Sequence, residues 1–130
     1  MRVNIPKDWR CNPHRWKMMG NYAKCYPSWK REVNDIKLQY RAAGGNSGGS
    51  ASALSEVEQK VERMERLSLN IEIVERCCRD ATEDTPYYLE LLNNVTIGTP
   101  ALSIARRQFG KYRRKFFYQL NIELEKNNIV

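Results

Sequence analysis

Apolar residues in this chain recur mostly three or four positions apart, and no segment alternates well enough to predict a strand. The longest such pattern fills residues 54–80. Leu54, Val57, Val61, Met64, Leu67, Ile71, Val74 and Cys78 form its stripe, and Leu69 and Ile73 widen it. Ser55 and Glu58 have the spacing of a capping box at its start. The first half of the stripe is thin and heptad-like, which predicts pairing with another helix. That partner is either the helix predicted over 28–43 or a second copy of the chain. In residues 28–43, Trp29, Val33, Ile36 and Tyr40 share one stripe, read here as core, while Lys30, Arg31, Lys37 and Arg41 lie elsewhere.

Shorter elements surround these two. A helix is expected over 13–26, weakened by Gly20, with His14 near its start. Thr85-Pro86 pairs a capping residue with a proline suited to a first helical turn, predicting a helix over 86–93. Thr99-Pro100 repeats that start and predicts a helix over 100–108. Gly110 then supplies a turn, and a longer helix is predicted over 111–126. Two helices joined by a short glycine turn read as a helix-turn-helix over 99–126. Between residues 44 and 53 the sequence GGNSGGSASA has four glycines and three serines, the composition of a flexible linker. The expected architecture is therefore all-α, with a basic N-terminal helical arm (1–43), a linker (44–53) and a helical domain (54–130).

The last predicted helix has two chemically different faces. Phe116, Phe117, Leu120 and Leu124 fall on one side and are expected in the core. Lys111, Arg114, Lys115 and Tyr118 fall roughly opposite, where the second helix of such a motif meets the major groove. Arg106 and Arg107, ahead of the turn, are placed to touch phosphates, and Arg114 is the candidate for reading guanine. Arg113 lies nearer the core side. The same charges would also suit the solvated face of an ordinary helical hairpin.

Charge strengthens the nucleic-acid reading and localises it. The chain of 130 residues has a net charge of +7, which favours a polyanionic partner such as double-stranded DNA. Residues 1–43 hold 10 Lys/Arg against 3 Asp/Glu, and residues 99–130 hold 7 against 2. The middle, 54–98, is acidic, with 5 against 10, so the ends are the contact surfaces. No apolar run reaches the roughly 18 residues of a membrane span, and the first residues lack the apolar stretch of a signal peptide, so the cytoplasm is the expected compartment. Cys11, Cys25, Cys77 and Cys78 are then expected as free thiols, Cys78 buried and Cys11 exposed. Cys11, His14 and Cys25 have a metal-like grouping, but zinc wants four ligands and only three lie close in sequence. No cofactor is expected. There is no P-loop, HExxH or GxSxG sequence, and nothing argues for an enzyme.

Tyr26-Pro27 followed by WKREVNDIKLQY, the GGNSGGS stretch, Ile104-Ala105, and the run Arg113-Arg114-Lys115-Phe116-Phe117-Tyr118 carry a resemblance. Across most of residues 20–130 the layout resembles the small phage-encoded transcription regulators of the RinA/ArpU kind. Two features depart from that pattern. Ala105 and Gly110 stand five apart rather than four, and Lys111 occupies the place of a capping Ser or Thr. The resemblance implies a regulator of late phage genes that acts at a promoter, with a helix-turn-helix similar to the last region of sigma factors and contact with RNA polymerase. The rival expectation is a non-enzymatic helical adaptor that docks on RNA polymerase, a recombinase or another protein. A homodimer through the 54–78 stripe or the N-terminal arm is compatible with either.

Overall fold

The computed structural model describes residues 5–7, 9–42 and 51–129, with the backbone alone for 42 and 51–55. The architecture is all-α. Five helices follow one another: α1 (Pro13–Lys24), α2 (Tyr26–Ala42), α3 (Ala51–Ala81), α4 (Tyr88–Ile97) and α5 (Arg106–Lys126).

Asn12 starts α1 by accepting a 2.8 Å hydrogen bond from the His14 N–H, and Pro13 takes the first helical turn. Cys25 is a joint of a single residue, after which Pro27 falls in the first turn of α2, where its missing N–H leaves no bond unmade. The apolar stripe of α2 then lies along α3. The Tyr22 hydroxyl donates to Asn70 (2.8 Å), Tyr26 donates to Glu75 (2.5 Å), and Arg63 pairs with Glu32. Tyr22 belongs to α1. Within α2, going from Tyr26–Glu75 to Glu32–Arg63, the α2 position rises while the α3 position falls, so α2 and α3 are antiparallel. Burial, reinforced by the bond to Glu75, raises the Tyr26 pKa well above that of a free phenol. Val33 and Leu67 are buried in this contact, while Tyr40 and Val61, toward the far end, are exposed.

The partner of the α3 stripe is thus α2 of the same chain. Toward the C-terminal end of α3, α5 packs antiparallel on it, held by Arg76 to Glu123 at 2.7 Å and Lys115 to Glu83 at 3.1 Å. Helix α1 crosses α4 and α5, with Arg15 bonded to Glu125 (2.6 Å) and Asn121 (2.8 Å). One core results, and every helix feeds it: Met19 and Ala23, Tyr26, Ile73 and Val74, Leu91 and Leu92, then Phe116, Phe117, Leu120 and Leu124. Residues 13–26 of the expected arm are therefore built into the same core as the C-terminal helices.

The ends of α1 and α2 shift by two residues or fewer, and the boundaries of α3 and α4 differ more. Of the expected linker, 44–50 lie outside the described residues, and Ala51 to Ala53 already belong to α3, so the capping box at Ser55 does not mark its start. Helix α4 begins two residues later than expected and continues to Ile97, because Val95 and Thr96 are buried and extend its apolar face. It stops at Gly98, whose φ of 86° is the left-handed conformation that closes a helix end with bonds back to Asn93 and Asn94.

The largest correction falls on the helix-turn-helix. Residues 99–105 are not helical, and Gly110 lies inside one continuous helix, α5. A glycine in a helix interior costs only about 1 kcal/mol. Burial of Tyr112 and Phe116 on its far side and of Phe109 next to it outweighs that cost. The Pro100 segment stays irregular, bending at Ser103 and Ile104, where Ile104 is pinned in the core. The helices flanking the connection are α4 and α5, and the eight residues 98–105 between them exceed the 3–4-residue turn of the motif.

Candidate nucleic-acid interface

The six cationic and aromatic residues predicted to meet DNA all lie on α5, and the structure divides them. Arg106, Arg107 and Lys111 occupy its first turns and are exposed. None of them forms an ion pair among the described residues. The first turn contains no acidic side chain, and Ala105 at the cap contributes no side-chain hydrogen bond. Free N–H groups and the positive end of the helix dipole therefore add to three uncompensated cations.

Arg114, Lys115 and Tyr118 are half-buried and already engaged. The Arg114 guanidinium lies 5.5 Å from the centre of the Trp9 ring and donates a long 3.4 Å hydrogen bond to the Trp9 carbonyl. Tyr118 meets the same ring edge-on at 5.3 Å, and Lys115 pairs with Glu83. The expected groove-facing surface is therefore partly covered by Trp9 and by the turn after α3. Arg113 sits nearer the core, as its position suggested, with its guanidinium 5.2 Å from the Phe117 ring. Its Nε is buried without a partner, and burial lowers its pKa.

Further exposed cations lie on the N-terminal helices. Lys17 and Lys24 on α1, and Arg31, Lys37 and Arg41 on α2, have no acidic partner among the described residues. The last three flank the Trp29 stripe and were visible as a charged face in the sequence. Lys17 and Lys24 were less visible, although their spacing of seven puts them on one side of α1.

A wide-open cleft of about 550 Å³ separates the start of α1 from the end of α5. Its floor includes Cys11, His14, Arg15 and Glu125. Arg15 is held by Glu125 and Asn121, so it offers no spare charge there. Among the described residues no three His, Cys, Asp or Glu side chains converge as metal ligands would. Cys11 is half-buried rather than exposed, Cys25 is exposed, and Cys77 and Cys78 are buried. Burial pushes both of the latter thiols well above the ordinary range, which keeps them protonated and poor nucleophiles. No helix among the described residues is long and apolar enough to cross a membrane.

Neither a family model, nor a curated protein, nor a solved structure matches this chain.

Proposed function

We propose that this protein binds double-stranded DNA, with Arg106, Arg107 and Lys111 on its phosphates. The observation that carries the reading is the set of three exposed, unpaired cations at the positive end of α5. A phosphate needs only that charge and those donors, whereas base reading by Arg114 would first require its release from Trp9. Lys115 would likewise have to leave Glu83. The exposed cations of α1 and α2 add a second basic surface to the same molecule. A role in transcription at a phage or mobile-element promoter rests on the resemblance in residues 20–130.

Fluorescence anisotropy on a labelled duplex of about 30 base pairs, over a salt series, tests the reading. Each phosphate contact contributes about −0.9 to the slope of log affinity against log salt. Changing Arg106, Arg107 and Lys111 to Ala together is expected to flatten that slope by about 2–3. The melting temperature should stay nearly constant, because exposed substitutions usually cost less than about 0.5 kcal/mol. An unchanged slope would remove these residues from the interface.

A second reading is a helical adaptor. It is favoured by Leu38, Tyr40 and Val61, which are exposed on the outer parts of α2 and α3. A partner protein or a second copy of the chain would cover them. Absence of DNA binding, with a dimer in light scattering that Leu38→Asp or Val61→Asp dissolves, would favour this reading.

A further inference from the structure

Leu102 is 90% exposed, the most exposed large apolar side chain among the described residues. It does not hang from a slack loop. Ala101 immediately before it packs against the core, and Ile104 two residues later is buried. Upstream, the segment is tied to α4. Asn94 donates to the Thr99 carbonyl at 3.0 Å, and Gly98 closes the helix with two backbone bonds. The chain is thus anchored on both sides of a leucine held out in solvent. Ile97, also largely exposed, precedes it by five residues.

The charges flanking this leucine have one sign. Arg106 follows it by four residues, Arg107 by five, and Lys111 by nine, all exposed and unpaired among the described residues. Four residues of extended chain reach at most about 14 Å, so the leucine and the first cation act on one local stretch of a partner. The minor groove of B-DNA is about 6 Å wide, and its phosphate walls lie within that reach. Proteins that use this groove insert a leucine, isoleucine, methionine or phenylalanine between base pairs and kink the duplex.

We propose that Leu102 is an apolar wedge that enters the minor groove and unstacks one base step while Arg106, Arg107 and Lys111 hold the adjacent phosphates. The proposal rests on the phosphate-binding reading above and adds to it a mode of engagement and a change in DNA shape. Alternating pyrimidine–purine steps such as TA are the preferred entry points, because they unstack most easily. Full specificity for a base sequence is not required, since the wedge reads deformability.

The test uses the full chain and a duplex of about 30 base pairs with a central TA step, carrying a donor and an acceptor dye at its ends. Bound wild-type protein should shorten the end-to-end distance by the amount expected of a bend of about 20° or more. Leu102→Ala should keep the salt slope and lose the bend, with a several-fold loss of affinity. Leu102→Met should retain the bend, because methionine also serves as a wedge. A wild-type complex with the normal salt slope but straight DNA overturns the wedge and leaves the phosphate reading standing. Equal bending by Leu102→Ala does the same. Stronger competition by single-stranded than by duplex DNA would place the contact on unpaired strands and overturn it as well. No binding to the duplex at any salt concentration overturns both readings.

Discussion

Arg106, Arg107 and Lys111 in the first turns of α5, and Arg113, Arg114 and Lys115 just beyond them, are two equally basic triplets on one helix. The first stands in solvent without an acidic neighbour. The second is absorbed: Arg113 by the Phe117 ring, Arg114 by Trp9, Lys115 by Glu83. Nothing in the triplets themselves sets this difference. It comes from what the rest of the chain lays over each. Trp9 and the turn after α3 cover Arg114 and Lys115, Arg113 lies against Phe117 of its own helix, and the 99–105 segment leads into the first triplet from one side. A cation that satisfies its own fold has less left to offer a partner, so availability rather than charge count marks the interface.

The strongest way to break this comparison is to remove the platform beneath the second triplet. Phe116 is fully buried and packs edge-on against Phe117 with ring centres 5.0 Å apart. Phe116→Ala should cost about 3–5 kcal/mol in urea denaturation. A loss below about 1 kcal/mol would mean that α5 is not seated in the core as described.

A smaller effect is expected at the cover itself. Trp9 meets Tyr118 at 5.3 Å, Trp16 at 6.3 Å and the Arg114 guanidinium at 5.5 Å. Trp9→Ala should lower stability by about 1–2 kcal/mol, the scale of an aromatic pair with a partly solvated cation–π contact. It should also raise the protease sensitivity of the N-terminal segment. An unchanged denaturation midpoint would show that Trp9 does not hold the second triplet.

The smallest effect separates one helix from two. A Cβ added at Gly110 would meet nothing within 4 Å, and the residue has no positive φ. Gly110→Ala should therefore stabilise the protein by about 0.5–1 kcal/mol. A glycine that made an inter-helix turn would give the opposite sign. The control is Gly98→Ala, which places a side chain at a φ of 86° and should destabilise.

Periodicity made the α2 and α3 segments legible, the Thr85-Pro86 pair marked α4, and the core residues Phe116, Phe117, Leu120 and Leu124 were recognisable from their spacing. Gly110 misled because local propensity is weak beside tertiary burial. Its penalty is about 1 kcal/mol, while Tyr112 and Phe116 each bring a large apolar surface to the core. Thr99-Pro100 misled for a related reason. The pair suits a helix start, but the buried anchor at Ile104 holds the segment in a non-helical bend. At the candidate interface, the helical wheel located Arg114, Lys115 and Tyr118 on the side of α5 away from Leu120 and Leu124. It carried no information about Trp9 or Glu83, which approach from residues over a hundred and over thirty positions away in sequence.

The thiols buried in α3 set how the protein meets oxidants. Cys77 and Cys78 are adjacent in a helix, with α-carbons about 3.8 Å apart across a trans peptide, short of the usual disulfide span of about 4.4–6.8 Å. They are also buried and held protonated, so neither attacks a peroxide or a mixed disulfide readily. Cys25 is the exposed thiol, and it sits at the one-residue joint between α1 and α2. Air oxidation should therefore appear as covalent pairs of chains joined at that joint, reversible by dithiothreitol, with the interior untouched. A Cys25→Ser protein should form such pairs more slowly, with the half-buried Cys11 as the remaining route.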